Sequence, residues 1–347
     1  MNGVIHRYGH LLPITEATPR LTLDEGSTPL VRAARLAEWV GVERLFLKTE
    51  GVNPTGSFKD RGMVIAVARA RELGASTVLC ASTGNTAASA AAYAARAALS
   101  ALVLLPGGHV AMGKLAQAVR YGARVLTVDA DFDVALDLAR TFADTGAAAL
   151  VNSVNPFRIE GQTTAAYEII DELGDAPHIL ALPVGNGGNI TAYWLGFRRY
   201  MEAGHTDRLP RMLGVQASGA APLVLGHPVD NPETVATAIR IGRPATWQPA
   251  LDAARDSGGR IMACTDEEIL EAYRVIPRLE GVFCEPASAA GVAGLRRAVA
   301  DGEIEPDTIC VCVLTGHGLK DPDTALADGV EITRIEASID ALERAAR

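Results

Sequence analysis

One lysine lies directly after a Pro/Gly turn, at a point where a helix is expected to begin. Pro54 and Gly56 precede Lys59, and helical spacing follows to about residue 73. A lysine on the first turn of a helix can direct its amine into a cleft, where the amine loses its proton more readily than in water. Only a deprotonated amine attacks an aldehyde, so Lys59 is a candidate Schiff-base lysine. The alternative is a solvated surface lysine.

A second feature is the glycine-rich sequence Gly185-Asn186-Gly187-Gly188-Asn189, which lies between an apolar run at 179–184 and helical spacing at 190–199. Glycines between a strand and a helix let backbone N–H groups converge on a phosphate at the positive end of the helix. The sequence is not the dinucleotide pattern G-x-G-x-x-G, because Thr191 stands at the last glycine position. We interpret it as a cup for a cofactor phosphate, with a plain turn as the alternative.

Polar residues also follow two other apolar runs. Ser82, Thr83 and Asn85 come directly after the run at 78–81, and Thr315 ends the run at 309–314. The first three residues all suit the N-cap of a helix. A capping role and a ligand-binding role can coexist in such a turn, through different residues.

The third group of candidates is Asn152, Ser153 and Arg158. The planar guanidinium of an arginine suits a dianion, because it donates two charge-assisted hydrogen bonds. The alternative is a solvated arginine ahead of a helix that starts near Gly161. Because the formal net charge is −9, any anionic substrate must be captured by local positive charge and amide groups.

Short apolar runs alternate with helical patterns along the chain. The runs are 45–48, 78–81, 102–105, 125–128, 148–151, 179–184, 212–215, 261–263 and 309–314, and helical spacing is found at 64–71, 87–95, 134–142 and 269–276. This alternation predicts an α/β fold with parallel sheets covered by helices on both faces. Ligands of such folds bind outside the carboxyl ends of the strands.

Composition limits the class of protein. The chain has 347 residues, 48% of them apolar and 21% charged, which is typical of a globular protein of about two domains. The negative charge argues against a nucleic-acid partner. We expect no membrane span, since no apolar run reaches 18 residues, and residues 1–19 lack a signal-peptide core. The default location is the cytoplasm.

The cysteines and histidines predict no metal or redox centre. The five cysteines are Cys80, Cys264, Cys284, Cys310 and Cys312. Their odd number and the absence of a C-x-x-C pair indicate reduced, buried thiols. Cys310 and Cys312 should point to the same face of a strand. His6 and His10 are four residues apart but have no third ligand nearby in the sequence, so no metal site is expected.

Five segments, in the family's order, resemble the pyridoxal-phosphate enzymes of the tryptophan-synthase-β fold, and within them the threonine synthases. They are 54–62, 82–87, 185–189, 314–321 and, similar to the threonine synthases in particular, 152–162. The resemblance implies fold type II, with two open parallel-sheet domains. Residues 55–153 would form a small domain with the Schiff-base lysine and the Ser-Thr-Gly-Asn loop, and residues 1–54 and 154–347 a large domain with the cofactor-phosphate loop.

The resemblance also implies the cofactor, pyridoxal 5'-phosphate, and the residues that bind it. Lys59 would hold it covalently, Phe58 would pack near its ring, and Asn85 would hydrogen-bond its phenolic oxygen. The hydroxyl of Thr315 would meet the pyridine nitrogen, where a neutral partner leaves the ring largely unprotonated and favours elimination over transamination. The cofactor phosphate would lie in the cup of Gly185, Asn186, Gly187, Gly188 and Asn189.

The implied substrate is O-phospho-L-homoserine, whose phosphate would be bound by Ser82, Thr83, Asn152, Ser153 and Arg158. The implied reaction forms L-threonine and phosphate by γ-elimination and then β-addition of water, the last step of threonine biosynthesis. The alternative is a threonine or serine ammonia-lyase of the same fold, which needs no second phosphate site. A catalytically silent binding module is a further alternative. Members of this fold are commonly homodimers, and the sequence does not indicate which group activates the water.

Overall fold

The strands of the protein form two sheets. The computed structural model describes residues 3–82, 84–107, 112–130, 132–327, 329 and 332–346. The strands are β1 (Leu30–Arg32), β2 (Arg44–Thr49), β3 (Thr77–Ala81), β4 (Ser100–Pro106), β5 (Arg124–Val128), β6 (Ala149–Leu150), β7 (Ile179–Pro183), β8 (Arg211–Ala217), β9 (Arg260–Cys264) and β10 (Ile309–Leu314). One sheet has the order β1-β2-β10-β7-β8-β9 and the other β5-β4-β3-β6.

All neighbouring strands are parallel except β1 and β2, which run antiparallel with Leu30 opposite Lys48. The nine predicted apolar runs each coincide with one of β2 to β10, so the prediction of parallel sheets is confirmed. Strand β1 was not predicted, because three residues are too short for a periodic pattern.

Helices cover the sheets. They are α1 (Val4–Tyr8), α2 (Ala34–Val40), α3 (Lys59–Glu72), α4 (Asn85–Arg96), α5 (Met112–Arg120), α6 (Phe132–Asp144), α7 (Pro156–Gln162), α8 (Thr164–Leu173), α9 (Gly188–Glu202), α10 (Pro222–Leu225), α11 (Trp247–Asp256), α12 (Asp266–Glu280), α13 (Pro286–Ala300), α14 (Pro322–Leu326) and α15 (Ile339–Ala345). Short 3₁₀ turns occur at Gly9–Leu11, Glu50–Val52, Thr237–Ile239 and Gly318–Lys320. Within the described part of the chain, no helix is long and apolar enough to cross a bilayer.

Strand β10 shows how the six-stranded sheet is buried on both faces. Val311 and Val313 pack into the core cluster that contains residues of α8 and α9, whereas Cys310 and Cys312 pack into the cluster on the other face, with α13. The prediction that both cysteines share a face is confirmed. All five cysteines are buried free thiols.

Helix α3 is anchored by a buried ion-pair network two residues after Lys59. Arg61 Nε lies 2.7 Å from Glu50 Oε2, and Arg61 Nη2 lies 2.6 Å from Glu168 Oε2. Lys48 Nζ lies 3.0 Å from the same Glu168 oxygen. Burial disfavours the charged carboxylate of Glu168, but the two cations and their hydrogen bonds outweigh it and lower its pKa to about 2. The network joins α3 to β2, α8 and the turn after β2.

The turn before α3 is fastened to the end of β10. Phe58 N donates to the carbonyl oxygen of Thr315 at 3.0 Å, and His317 N donates to the carbonyl of Gly56 at 3.0 Å. Asp60 closes the turn on its other side, since its carboxylate accepts from Thr55 N at 2.7 Å. These bonds place the start of α3 beside the carboxyl end of a central strand.

Candidate active site

Helices α3 and α7 approach each other closely at two glycines. A Cβ on Gly62 would lie 2.9 Å from the Cα of Arg158, and one on Gly161 would lie 2.8 Å from the Cα of Gly62. Cβ atoms do not approach backbone so closely, so neither position accepts a side chain without displacement of a helix. The contact sets the spacing between Lys59, the first residue of α3, and Arg158 in α7.

We therefore expect Gly161→Ala to separate the two helices and to lower the free energy of unfolding by about 1–3 kcal/mol, the usual cost of overpacking. Denaturant unfolding measures this, and cofactor affinity should fall with it. Gly74→Ala is the control: a Cβ there meets no atom within 4 Å, although φ is +84°. The control should keep normal cofactor affinity. Normal affinity and stability in Gly161→Ala would contradict this role for the helix contact.

A cavity of about 1000 Å³ opens at the carboxyl ends of β3, β6, β7 and β10. The predicted site residues that line it are Phe58, Lys59, Ser82, Asn85, Asn152, Ser153, Arg158, Gly185, Asn186, Gly187, Gly188, Asn189 and Thr315. Thr83 lies outside the described residues. The cavity thus brings together all of the predicted site residues that are described, from positions as far apart as 58 and 315.

Lys59 lies at the wall of this cavity. Its Nζ is 4.1 Å from the centroid of the Phe58 ring, so Phe58 supports the amine. Burial and, to a smaller extent, the positive charge of Arg158 lower the pKa of Lys59 to about 7, against the opposing effect of Glu285. The prediction that α3 begins at this lysine is confirmed, and a substantial fraction of its amine is neutral, and so available as a base or nucleophile, near neutral pH.

This pKa can be tested in cofactor-free protein with trace acetic anhydride, which reacts only with neutral amines. Because the pKa of Lys59 is lowered, its labelling should rise with pH and reach half of its plateau near pH 7. Free Nα-acetyl-lysine, the reference, should reach half-plateau near the ordinary lysine pKa of 10.5. A profile for Lys59 that matches the reference would show a solvated amine.

The glycine-rich loop lies where the sequence predicted it, between β7 and α9. Helix α9 starts at Gly188 and runs for 15 residues. Gly187 has a φ of +82°, and a Cβ there would lie 2.7 Å from the carbonyl oxygen of Thr246, so only glycine fits. Asn189 Oδ1 is buried and has no hydrogen-bond partner in the described part of the protein. Glycine backbone at the N-terminus of a long helix can hold a phosphate.

Asn85 is the first residue of α4, and the helix cap differs from the expectation. The N-cap is Gly84, and no side chain of the described residues caps the helix; Ser82 Oγ instead accepts from Gly84 N at 3.2 Å. The capping interpretation of Asn85 is therefore wrong. Its amide Nδ2 donates toward Glu285, at 3.2 Å from Oε1 and 3.1 Å from Oε2.

Thr315 has a hydroxyl partner that the sequence did not reveal. Its Oγ1 lies 2.9 Å from the Oγ of Ser288, near the start of α13. The Ser288 hydroxyl also accepts from Gly316 N at 3.0 Å. Thr315 is 4% exposed, so this pair holds its hydroxyl in a fixed place at the end of β10.

Arg158 is a buried cation, 1% exposed, and the interpretation of it as a solvated arginine is wrong. Helix α7 begins at Pro156, not near Gly161, because Asn155 caps it by accepting from Phe157 N. Arg158 Nη1 donates to the carbonyl oxygen of Val151 at 2.8 Å, and no described residue accepts from its Nε. Burial lowers its pKa to about 10, so it stays charged at neutral pH.

No carboxylate of the described residues forms an ion pair with Arg158, which leaves a charged group at the cavity wall ready for an anion. Ser82 and Ser153 line the same wall and are half-buried. Asn152 is tied to the end of β3, since it exchanges two hydrogen bonds of 2.9 Å with the backbone of Ala81. It therefore fixes the wall of the pocket through the strand.

Two residues of the site were missed by sequence reasoning, Glu285 and Ser288. Glu285 stands alone as a charged residue in the apolar stretch 282–293, and that isolation was a usable signal. Ser288 gave no signal, because a serine in an alanine-rich helix needs no explanation. The acidic residue beside the lysine, Asp60, proves to fasten the turn.

Known proteins are similar to this chain in sequence and in fold. A family model described as pyridoxal-phosphate dependent enzyme matches residues 21–316. The threonine synthase of Mycobacterium leprae is 60% identical over 327 residues, 94% of this chain and 91% of that protein. The threonine synthase of Halalkalibacterium halodurans is 57% identical over 325 residues, with the same two coverages.

This chain belongs to the pyridoxal-phosphate-dependent enzymes, within the threonine synthases. In fold, this family member is similar to maize serine racemase, with a TM-score of 0.73 at 21% identity over 87% of this chain and 92% of that chain. The two-sheet architecture is that of the fold-type II enzymes.

The residues present fit pyridoxal 5'-phosphate, the cofactor of the family. A lysine with a lowered pKa stands at one side of the cavity, and a glycine loop that excludes side chains stands at the N-terminus of α9. A neutral hydroxyl pair ends β10. An aldehyde, a phosphate and a ring nitrogen would each find a chemically suitable partner among these groups.

Proposed function

We propose that the protein converts O-phospho-L-homoserine and water into L-threonine and inorganic phosphate. The observation that supports this best is Arg158, a buried and charged arginine at the wall of the cavity that contains Lys59. The glycine loop supplies a site for one anion, the cofactor's phosphate. The charge of Arg158 can therefore bind a second one, the phosphate of the substrate. A substrate with its own phosphate needs both sites.

We propose that the cofactor's phosphate occupies the loop 185–189 and that its aldehyde bonds to Lys59. When bound, the cofactor supplies an electron-withdrawing ring that stabilises negative charge on the substrate's α-carbon. Asn85 would hold the ring at its phenolic oxygen, and Thr315 would hold it at its nitrogen. Phe58 packs beneath the Lys59 amine and limits where that amine can move.

The chain's own groups then move protons and hold the leaving group. With a pKa of about 7, the amine of Lys59 can both accept and return a proton at neutral pH, as general acid–base catalysis requires. We assign it the substrate's α-proton and then a β-proton. Arg158, with Ser82, Thr83, Asn152 and Ser153, binds the substrate phosphate and holds it as it leaves. The glycine contact between α3 and α7 keeps this phosphate pocket at a fixed distance from the amine.

The alternative function is a threonine or serine ammonia-lyase of the same fold. Substrates of such an enzyme carry no phosphate, and a buried arginine without a carboxylate partner would then be an uncompensated charge in the empty half of the cavity. The lyase alternative therefore leaves Arg158 without a role, so we favour a phosphate ester as the substrate.

The direct test is to incubate the holoenzyme with O-phospho-L-homoserine and to measure phosphate and threonine, with threonine deamination assayed in parallel. We expect equal amounts of phosphate and threonine, and turnover of threonine at least a hundredfold slower. Unphosphorylated homoserine should be inert, because it cannot use the charge of Arg158. Rapid formation of 2-oxobutanoate from threonine, without phosphate release, would instead establish the lyase.

We further propose that the protein is a cytoplasmic homodimer, a proposal supported only by the resemblance to the fold family. Light scattering, which measures the molar mass in solution, tests whether it is a dimer. The division into a small domain, 55–153, and a large domain, 1–54 with 154–347, also stays a prediction. It is supported by the four-stranded sheet, whose strands all lie within 77–150, and by the six-stranded sheet, whose strands come from both ends of the chain.

A further inference from the structure

Glu285 is a buried carboxylate that lines the cavity. It directly precedes α13 and is 5% exposed. Its N–H donates to the carbonyl oxygen of Gly316 at 3.0 Å. Its side chain lies against the same residue, since a Cβ on Gly316 would be 2.6 Å from the carboxyl carbon. Both contacts hold Glu285 beside Thr315 and the start of α3.

The carboxylate accepts from one N–H of the Asn85 amide. Nδ2 lies 3.1 and 3.2 Å from the two oxygens of Glu285. The two N–H bonds of an amide diverge, so only one of them can point between the two oxygens of a single carboxylate. The second N–H points elsewhere, and it has no partner among the described residues.

The contact with Glu285 also fixes the orientation of the Asn85 amide, that is, the positions of its nitrogen and its oxygen. With the amide reversed, its Oδ1 would face the oxygens of Glu285, an acceptor against acceptors. Burial raises the pKa of Glu285, while the Asn85 N–H, Lys320 and Lys59 favour its charged form. Asn85 itself is only half-buried and caps nothing, so Glu285 is the group that orients it.

We propose that Glu285 is a positioning residue, which fixes the Asn85 amide so that its second N–H faces the place of the cofactor's phenolic oxygen. This inference rests on the role proposed above for Asn85. Glu285 acts through Asn85 and need not touch the cofactor. Its loss should therefore weaken cofactor binding only as far as Asn85 contributes to it.

A double-mutant cycle tests this coupling, with cofactor affinity measured by titration of cofactor-free protein and absorbance. Glu285→Ala and Asn85→Ala should each weaken binding about tenfold, the scale of one net hydrogen bond. The double variant should also lose about tenfold. A loss of about a hundredfold in the double variant would show that the two residues act independently and would overturn the proposal. The absorption band of the bound cofactor should shift equally in all three variants.

Glu285→Gln gives a second test that does not depend on the folding of the alanine variant. It keeps one acceptor oxygen for Asn85, so cofactor affinity should stay within about threefold of the wild type. A loss as large as that of Glu285→Ala would mean that the charge matters, not the orientation of Asn85. The matched control is Glu25→Gln. Glu25 is another buried carboxylate with a raised pKa; it accepts from the hydroxyl of Tyr93 and does not line the cavity. The cofactor affinity of this variant should be unchanged.

None of these measurements uses a substrate. If the wild-type enzyme forms no threonine from O-phospho-L-homoserine, the proposed function fails while the coupling between Glu285 and Asn85 is still measured. If the coupling is absent but threonine is formed, the function stands and only the positioning role of Glu285 falls.

Discussion

Replacement of Lys59 by alanine is expected to lower turnover at least about 10⁴-fold and to remove the yellow colour of the bound cofactor. Both effects have one cause in the proposed mechanism, in which the same amine holds the cofactor and moves the substrate's protons. No other described amine can take its place. Lys320 also lines the cavity, but its Nζ donates to the side-chain oxygen of Gln117 on α5.

Lys320→Ala is therefore the matched control for Lys59→Ala. It removes a second, largely buried lysine from the same cavity and should leave the yellow colour in place. Absorbance spectra of both purified variants, recorded with added pyridoxal phosphate, measure this. If the Lys320 variant loses the colour and the Lys59 variant keeps it, the cofactor is attached to Lys320 and the assignment to Lys59 is wrong.

Replacement of Arg158 by alanine should lower kcat/KM for O-phospho-L-homoserine on the order of 10³-fold, while cofactor affinity stays near normal. The phosphate of the substrate would then be desolvated in the pocket without a charged partner, which typically costs several kcal/mol. The kcat/KM of Arg158→Lys should lie between those of the wild type and Arg158→Ala, because lysine keeps the positive charge but lacks the planar guanidinium. Initial rates against substrate concentration measure the loss.

A second readout separates a local effect from general damage. Arg158 lowers the pKa of Lys59, so its removal should move the labelling profile of Lys59 to higher pH. The control for Arg158→Ala is Arg199→Ala, which breaks a partly exposed ion pair between Arg199 of α9 and Glu160 of α7. The turnover of this control variant should differ from that of the wild type by less than about threefold. If Arg158→Ala instead loses the cofactor, the division between the two phosphate sites is wrong.

Strands β2 to β10 and helix α3 were predictable because their signals are local. Each buried strand is a short apolar run, and the Pro/Gly turn before Lys59 marks the start of α3. The start of α7 was also encoded locally, in Asn155 followed by Pro156, a helix cap followed by proline at the first helical position. That signal was overlooked, so Arg158 was given a solvated alternative that its burial excludes.

The remaining parts of the site depend on pairs that are distant in sequence. Asn85 and Glu285 are 200 residues apart, and Gly62 meets Gly161 only when α3 and α7 pack. A glycine in a helix has many ordinary explanations in sequence, and the isolated charge of Glu285 in the stretch 282–293 does not indicate which residue it contacts. Only the folded structure brings these residues next to the amine of Lys59, the amide of Asn85 and the guanidinium of Arg158.

Chemical reduction of the holoenzyme can identify the amine that carries the cofactor, which we propose to be that of Lys59. The yellow holoenzyme is reduced with borohydride, which makes the bond to the cofactor permanent, and its peptides are mapped by mass spectrometry. We expect the mass of the reduced cofactor on Lys59 and on no other lysine. The added mass on Lys320 or Lys48, or its absence from every peptide, would show that Lys59 does not hold the cofactor.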